Sequence, residues 1–247
     1  MCDSCHCGEA AEATIAIPGQ PHGHQHQTRK IVVEHELLAQ NDHQGEANRQ
    51  FFAEQKILAL NLVSSPGSGK TSILERTLKT LGPEIATSVI EGDQQTMRDA
   101  ERISAAGAPV VQVNTGAGCH LDAEMIRRAL ARLPPKPHSL LFIENVGNLV
   151  CPALFDLGEH AKVAIISVTE GEDKPQKYPH MFRAASLCLL NKIDLLPHLD
   201  FDLELCKTLA RQVNPRLTFL ELSAKSGEGF AAWLQWLRDT FNASHCH

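Results

Sequence analysis

The feature that most constrains the fold of this chain is a glycine-rich loop directly after an apolar run. Residues 57–63 read ILALNLV, and residues 64–71 read SSPGSGKT, which matches the phosphate-binding P-loop pattern except that Ser64 replaces the usual first glycine. The glycines leave room for the backbone to wrap round a phosphate, because they carry no Cβ atom. The segment therefore predicts a strand, a loop and a helix, against the simpler alternative of a glycine-rich turn. The residues predicted to bind the phosphates are Gly67, Ser68, Gly69, Lys70, Thr71 and Ser72.

The rest of the chain alternates the patterns of strands and helices. The strand candidates are 57–63, 85–91, 109–113, 139–144, 162–168, 186–191 and 217–222, and the helix candidates are 70–81, 95–106, 119–132, 179–184, 201–213 and 229–241. Several strands are near-continuous apolar runs, which is typical of a parallel sheet covered by helices on both faces. The pattern predicts a three-layer α/β domain of the P-loop type with a mainly parallel sheet, which binds its ligands at the C-terminal strand ends.

The segments on either side of this region differ from it in composition. Residues 1–28 contain few large apolar residues and many Gly, Pro, Gln and His, so we expect a flexible tail that binds metal. Residues 29–55 have apolar residues at helical spacing, and we expect a break near Asn41–Gly45. The α/β domain is expected to cover 56–242, with a short C-terminal tail over 243–247.

Two acidic residues are predicted to act beside the phosphates. Glu144 ends the apolar run LLFIE and takes the role of a Walker-B-like Mg²⁺ carboxylate, together with the Thr71 hydroxyl. Asp93 follows another strand and is expected near the metal or the attacking water, an ordinary solvated acid being the alternative. Gly147 is expected to donate its amide to the γ-phosphate, and Lys70 to bridge the β- and γ-phosphates. The predicted catalytic residues are Lys70, Asp93 and Glu144, and slow hydrolysis is expected because no Gln or Arg stands out as the group that positions water.

A second nucleotide motif follows the strand over 186–191. Asn191, Lys192 and Asp194 form an N-K-x-D sequence, in which the carboxylate can accept hydrogen bonds from N1–H and the amine of guanine. Adenine presents the wrong donors and would leave a buried carboxylate unpaired, so the motif favours GTP over ATP. After the last strand, the sequence S-A-K is expected to complete the guanine pocket with Ser223, Ala224 and Lys225.

Cysteine and histidine are unusually frequent, with 8 Cys and 13 His in the chain. Cys2, Cys5 and Cys7 are spaced so that one loop can place several thiolates on a soft or borderline ion such as Zn²⁺, Ni²⁺ or Cu⁺. The alternative is a disordered tail whose cysteines only oxidise. The roles of His6 and of the clusters His22/His24/His26 and His245-Cys246-His247 stay open.

A second metal site is predicted within the α/β domain. Cys119, His120 and Cys151 all lie beyond strand ends, at the edge of the sheet that also carries the nucleotide motifs. Water or a second copy of the chain would complete a shell of three ligands, and incidental placement is the alternative. A ligand that follows the segment from Glu144 to Gly147 is expected to move when the γ-phosphate is lost, which would couple hydrolysis to metal affinity. Cys188 and Cys206 have apolar surroundings and are expected in the core.

Charge and hydropathy exclude other classes of protein. The net charge is −6 and the sequence pI is about 6.1, which argues against a nucleic-acid partner bound through a basic surface. The apolar runs are shorter than the roughly 20 residues that span a membrane. The first residues are polar and cysteine-rich, where a signal peptide needs an apolar core, so we expect a cytoplasmic protein.

Together these residues resemble the HypB family, GTPases that help to insert nickel into [NiFe]-hydrogenase. The segments that carry the resemblance are Cys2/Cys5/Cys7, 65–71, 91–96, 118–122, 144–152, 173–175 and 191–194. The resemblance implies a SIMIBI-like P-loop GTPase fold and a GTP-dependent homodimer, with the metal site at or near its interface. It implies tight nickel binding by the tail cysteines and Ni²⁺ or Zn²⁺ at Cys119, His120 and Cys151. The implied partners are a small nickel-binding accessory protein of the HypA family and the hydrogenase large-subunit precursor.

Two other functions share part of this pattern. The related urease accessory GTPases carry their metal ligands as a Cys-Pro-His motif, whereas Cys119 is followed directly by His120 in this chain. A nickel buffer with a relic nucleotide domain is the other alternative. The residues that argue against that function are the intact Gly67, Lys70, Thr71 and Asp194.

Overall fold

A computed structural model describes residues 25–93, 97–116 and 118–245, with side chains from residue 36 to residue 244. Several residues singled out in the sequence lie outside this part of the chain. They are Cys2, Cys5, His6, Cys7, His22, His24, Cys246 and His247.

Seven strands and nine α-helices are found in the described residues. The strands are β1 (Ile57–Ser64), β2 (Thr87–Asp93), β3 (Val110–Asn114), β4 (Ser139–Gly147), β5 (Ala161–Ser167), β6 (Leu187–Asn191) and β7 (Thr218–Glu221). The helices are α1 (Gln25–Glu54), α2 (Lys70–Leu81), α3 (Arg98–Ala105), α4 (Ala123–Arg132), α5 (Cys151–Leu154), α6 (Lys174–Lys177), α7 (Pro179–Ala184), α8 (Leu203–Val213) and α9 (Phe230–His245). A 3₁₀ helix covers Ile193–His198.

The strands form one sheet in the order β3-β2-β4-β1-β5-β6-β7, and every pair of neighbours is parallel. This confirms the predicted α/β architecture. Strand β1 lies between β4 and β5, and all of its residues are buried. Because all strands run the same way, the segments that follow β1, β2, β4 and β6 meet at one edge of the sheet.

The two faces of the sheet are covered by different helices, because successive side chains of a strand point to opposite faces. Leu58, Leu60 and Leu62 of β1 pack on one face, in the same cluster as residues of α2 and α9. Ile57 and Ala59 pack on the other face, in a cluster with residues of α1 and α4. The helices therefore form the two outer layers of a three-layer domain.

Helix α1 runs without the break that was expected near Asn41–Gly45, so that prediction is wrong. The residues that looked like helix breakers make tertiary contacts instead. Asn41 donates to the carbonyl of Asp156 at 2.8 Å, and its Oδ1 accepts from the Ala123 amide at 2.9 Å. A Cβ atom at Gly45 would lie 2.8 Å from the Asp156 carbonyl oxygen, so this glycine permits the close approach of the helix to the domain.

Other helix ends also differ from the predicted ones. Helix α4 begins at Ala123, later than the predicted start, because the Asp122 side chain accepts from the Met125 amide and caps the helix. Cys119 and His120 consequently lie in a loop. Helix α1 begins at Gln25, ahead of the predicted extension over 29–55, and α9 continues to His245, into the segment predicted as a C-terminal tail.

Candidate nucleotide and metal site

The loop after β1 has the backbone conformation of a phosphate-binding loop. Gly69 precedes α2 with φ of 95° and ψ of 23°, a left-handed conformation that favours glycine. A Cβ atom there would also lie 2.4 Å from Nδ2 of Asn191. Since α2 starts at Lys70, the unpaired amides of its first turn and its positive dipole end face the loop. The loop can therefore hold an anion without any side chain other than Lys70.

Three of the predicted catalytic and Mg²⁺-binding residues meet at the end of β4. The Thr71 hydroxyl donates to Oε1 of Glu144 at 2.6 Å, and Lys70 Nζ lies 3.3 Å from the same oxygen. Glu144 is buried, and its other oxygen, Oε2, has no hydrogen-bond partner among the described residues. A buried carboxylate oxygen without a donor, next to a hydroxyl, is a donor set that fits Mg²⁺ or its water ligands. Bound Mg²⁺ would neutralise charge on the phosphates.

A second buried carboxylate beside this group was not singled out in the sequence. Glu91 of β2 lies in register with Glu144 of β4 and is 2% exposed. Burial, reinforced by Glu144, Asp93 and Asp99 and opposed by Lys70, raises the pKa of Glu91 to about 8. The sequence could have shown an acid at a strand end, but its burial depends on the pairing of β2 with β4.

The remaining predicted residues of the phosphate site have different surroundings. Asp93 ends β2 on the same edge of the sheet, and its carbonyl accepts from the Thr115 amide at 3.0 Å. Gly147 ends β4 and lies close to the P-loop. A Cβ atom at position 147 would lie 3.3 Å from Cα of Pro66. The Ser72 hydroxyl accepts from Arg102 at 3.2 Å, which joins α2 to α3. Ser68 is buried, and its hydroxyl has no partner among the described residues.

The N-K-x-D segment joins the P-loop to the S-A-K loop. Asn191 donates to the Ser68 carbonyl at 2.8 Å, and its Oδ1 accepts from the Ala224 amide at 3.1 Å. Lys192 has φ of 65°, and its Nζ donates to the Gly67 carbonyl at 2.7 Å. Asn191 and Lys192 therefore fix the two loops against each other.

An open cleft of about 770 Å³ lies between these loops and α2. Gly69, Ser72, Asn191, Lys192, Asp194, Ala224 and Lys225 are among its lining residues. Oδ1 of Asp194 is buried and has no hydrogen-bond partner in the described part of the chain. The N1–H and amine of guanine are the donors that would satisfy it, so the cleft fits a guanine base.

Two further residues shape the walls of the cleft, and one of them, Arg76, also lines it. Ser223 is fully buried, and its hydroxyl accepts from the Ser226 amide at 3.0 Å, which shapes the S-A-K turn. Arg76 of α2 donates to the Ala224 carbonyl at 3.1 Å and stacks over the Phe230 ring at 5.3 Å. Arg76 was not predicted from the sequence, where it resembles any solvated residue of an amphipathic helix.

The structure brings Cys119, His120 and Cys151 together. Their ligand atoms all lie within 4.8 Å of one another, and among the described residues they form the one group of three or more His, Cys, Asp or Glu with such spacing. The two sulfur atoms are 2.7 Å apart, and His120 Nδ1 is 3.7 Å from Cys119 Sγ. Two thiols and an imidazole are the donors that Ni²⁺ and Zn²⁺ accept, so the group fits either ion.

Burial sets the protonation of these ligands. It raises the pKa of Cys119 to about 11, with a further contribution from the neighbouring Cys151. Burial lowers the pKa of His120, against the attraction of Asp122. At neutral pH the Cys119 thiol is therefore protonated and must release its proton to bind a metal, whereas His120 is neutral and ready to bind.

The three candidate ligands lie near the end of β4, which also carries Glu144 of the candidate nucleotide site. Cys151 begins α5, which follows the end of β4, and Asn148 between them donates to the Cys119 carbonyl at 3.5 Å. The His120 ring is stacked on Phe155 with centroids 3.8 Å apart. On the opposite side of β1, Lys174 Nζ lies 3.1 Å from Glu170 and 3.5 Å from the Ser65 hydroxyl of the P-loop.

Comparisons with known proteins place the domain in a class that matches this geometry. Residues 58–221 match the family model "CobW/HypB/UreG, nucleotide-binding domain". This span begins within β1 and ends with β7, so it contains both the P-loop and the three-ligand group. The fold and site thus define a nucleotide-binding domain of the CobW/HypB/UreG class.

Individual relatives narrow the assignment. The chain is 61% identical to the hydrogenase maturation factor HypB of Escherichia coli (strain K12), over 92% of this chain and 76% of that protein. The crystal structure of HypB from Archaeoglobus fulgidus is similar with a TM-score of 0.77 and 40% identity, covering 82% of this chain and 99% of the other. HypB from Helicobacter pylori, crystallised in complex with nickel, has a TM-score of 0.78 and 33% identity, covering 84% and 99%. The chain belongs to the HypB family of hydrogenase maturation factors.

No helix in the described ranges combines the length and apolar character needed to cross a bilayer.

Proposed function

We propose that this chain is a GTP-hydrolysing metallochaperone that binds nickel and delivers it, under control of the bound nucleotide, during [NiFe]-hydrogenase maturation. The observation that carries the proposal is the position of the Cys119, His120 and Cys151 group. Its ligands flank the end of β4, the strand whose Glu144 contacts Lys70 and Thr71. A change at the phosphate site and a change at the metal ligands therefore involve the same strand end.

In the nucleotide half of the function, Lys70 and Thr71 already contact Glu144. Lys70 and the amides at the start of α2 bind the β- and γ-phosphates, while Thr71 and Glu144 hold Mg²⁺. Asp93 acts near the metal or the attacking water, and Gly147 donates its amide to the γ-phosphate. The buried, unpartnered Oδ1 of Asp194 supports guanine over adenine as the base. Hydrolysis is slow because no Gln or Arg stands out as the group that positions water, and slow hydrolysis suits a switch.

The metal-binding part of the function uses two sites, one in the N-terminal segment and one in the α/β domain. Cys2, Cys5 and Cys7 capture nickel in the N-terminal segment, and Cys119, His120 and Cys151 hold Ni²⁺ or Zn²⁺ beside the nucleotide. The three ligands of the second site leave room for water or for the equivalent site of a second copy, since structural zinc sites and soft-metal sites commonly use four. A GTP-dependent homodimer would bring two such sites together.

The proposed partners follow from the family. A small nickel-binding accessory protein of the HypA family exchanges metal with this chain, and the hydrogenase large-subunit precursor receives it in the cytoplasm. The relatives named as hydrogenase maturation factors and the homologue crystallised with nickel support this assignment.

Turnover and metal binding test the proposal together. Purified protein should hydrolyse GTP in the presence of Mg²⁺, ATP should be a poor substrate, and Lys70→Ala should abolish turnover while nickel still binds. The matched lysine control is Lys56→Ala, because Lys56 is exposed and lies directly before β1, at the end of that strand away from the loop. Absence of GTP turnover in the wild type would overturn the proposal and favour a nickel buffer with an inactive nucleotide domain.

A further inference from the structure

A network of buried polar side chains runs along one face of the sheet, from β4 across β1 to the segment before β5. Asn145 of β4 and Asn61 of β1 are fully buried, and Glu159 before β5 is 7% exposed. Such groups are costly in an apolar interior unless every one of them is paired. The sequence of β1 gives no reason for a polar residue at position 61, since its neighbours form an apolar run.

Hydrogen bonds fix the orientation of each side-chain amide in this network. Oδ1 of Asn145 accepts from the amides of Leu121 at 3.2 Å and Val146 at 3.0 Å, so Nδ2 must face Asn61. It donates to Oδ1 of Asn61 at 3.2 Å, and Asn61 donates to Oε1 of Glu159 at 3.0 Å. The Glu159 carboxylate can only accept hydrogen bonds, which sets the direction of every bond in the network.

Both ends of this network reach residues beside His120. At one end, the bonded Leu121 amide belongs to the residue directly after His120. At the other end, Lys162 lies 2.6 Å from Glu159 and donates to the Phe155 carbonyl at 2.9 Å. The Phe155 ring is the one stacked on His120. The orientation of His120 therefore depends on Asn145 through a backbone bond and through an aromatic contact.

Asn145 also has a fixed relation to the phosphate site. It is adjacent to Glu144 within β4, and neighbouring residues of a strand point to opposite faces. Glu144 points to the P-loop, where it contacts Thr71, while Asn145 points to the Leu121 amide. Any shift of this strand end when Glu144 gains or loses partners must also displace the Asn145 side chain.

We infer that Asn145 is the positioning residue that couples the state of the nucleotide to the metal affinity of the Cys119, His120 and Cys151 group. Its amide transmits displacement of the β4 end to the Leu121 amide, and so to His120. The inference rests on the proposed function, because it specifies how the nucleotide governs the metal site. A merely structural role for Asn145 would change stability but not the dependence of metal affinity on nucleotide.

The test compares nickel affinity in two nucleotide states. The background protein is the full chain with Cys2→Ser, Cys5→Ser and Cys7→Ser, which removes the tail thiols and keeps Cys119, His120 and Cys151. This protein is titrated with Ni²⁺ in the presence of Mg²⁺ and either GDP or a non-hydrolysable GTP analogue. In this background the two affinities should differ by roughly 5-fold or more. Asn145→Ala should still bind nickel but with affinities that agree within about 2-fold. Asn145→Ser, whose hydroxyl is too short to reach Leu121, serves if the alanine variant is recovered unfolded.

Asn214→Ala is the matched control, because Asn214 also uses its amide to hold backbone, donating to the Phe182 carbonyl at 3.0 Å, away from this network. It should keep the full nucleotide dependence. A second readout is NMR of the ¹⁵N-labelled background protein, which needs no further variant. The Leu121 amide resonance should shift between the two nucleotide states.

The outcomes separate the inference from the function beneath it. Nucleotide-dependent nickel affinity that persists in Asn145→Ala, or that occurs with an unchanged Leu121 resonance, would overturn the inference and leave the proposed function standing. Equal affinities in the background protein itself would overturn the gating of the proposed function and the inference with it. Loss of the dependence in Asn145→Ala but not in Asn214→Ala supports both.

Discussion

The Thr71 hydroxyl and the Glu144 carboxylate are joined by a hydrogen bond of 2.6 Å between residues 73 positions apart. Thr71 lies in the first turn of α2, which follows β1, and Glu144 lies near the end of β4, which pairs with β1. Parallel pairing brings the two strand ends to one edge of the sheet, so the contact follows from topology. It defines where Mg²⁺ would be held beside the phosphates.

Glu144→Gln should lower Mg²⁺-dependent GTP turnover by roughly 100-fold, because the amide cannot supply a charged oxygen to the metal. Binding of GDP in the absence of Mg²⁺ should change little. Steady-state turnover across a Mg²⁺ titration measures the effect. Glu101→Gln, an exposed acid of α3, is the control, and turnover of Glu144→Gln equal to that of this control would remove Glu144 from the site.

Asp194→Asn should shift the base preference of the cleft from guanine towards xanthine. The carboxylate accepts from the N1–H and amine of guanine, whereas an asparagine amide can donate to the carbonyl that xanthine carries in place of the amine. Affinity for GDP should fall by at least about 100-fold, and affinity for xanthosine diphosphate should rise. Fluorescent nucleotide titrations measure both. The exposed Asp200→Asn should bind as the wild type does, and unchanged GDP affinity in Asp194→Asn would place the base elsewhere.

Nickel affinity at the Cys119, His120 and Cys151 group should rise with pH between pH 6 and 8. Burial raises the pKa of Cys119 to about 11, so the thiol is protonated throughout this range and releases its proton when the metal binds. Each thiol proton released contributes about tenfold in affinity per pH unit. Burial lowers the pKa of His120, so the imidazole adds no dependence above neutral pH.

Titrations of the protein without the tail cysteines at pH 6, 7 and 8 test this dependence. Cys206→Ala removes a buried thiol of the core and should leave the slope unchanged. A pH-independent affinity would mean that the thiols do not bind the ion.

Asn48→Ala should lower the free energy of unfolding by about 2 kcal/mol. Asn48 is buried on α1 and donates to the carbonyls of Ala123 at 2.8 Å and Leu157 at 3.1 Å. Its removal leaves both acceptors buried without that donor and loosens the attachment of α1. Urea unfolding measures the change, and the exposed Gln50→Ala on the same helix should stay within about 0.5 kcal/mol of the wild type. A neutral Asn48→Ala would mean that its two hydrogen bonds do not help to hold α1 against the domain.

The features that could be predicted from the sequence share a local cause. The strand, loop and helix around the P-loop are written in consecutive residues, and α2 covers the predicted range 70–81. Cys119 and Cys151 are far apart in the chain, yet their convergence was predictable because both follow strands of a parallel sheet. The ends of such strands lie at one edge, whatever the distance along the chain.

The features that could not be predicted depend on partners distant in the sequence. The expected break in α1 was wrong because Asn41 and Gly45 pack against Asp156, 115 residues from Asn41. The burial of Glu91 depends on its register with β4, and the pairing of Asn61 depends on residues of two other segments. A polar residue in an apolar run signals such a network but does not reveal its partners.

The most direct test of nucleotide-gated metal binding is the nickel affinity of the full chain carrying Cys2→Ser, Cys5→Ser and Cys7→Ser, measured with Mg²⁺ and either GDP or a non-hydrolysable GTP analogue. We expect the two dissociation constants to differ by roughly 5-fold or more, and Cys151→Ser to abolish binding in both states. Equal dissociation constants in the two states would contradict the coupling of the nucleotide site to Cys119, His120 and Cys151.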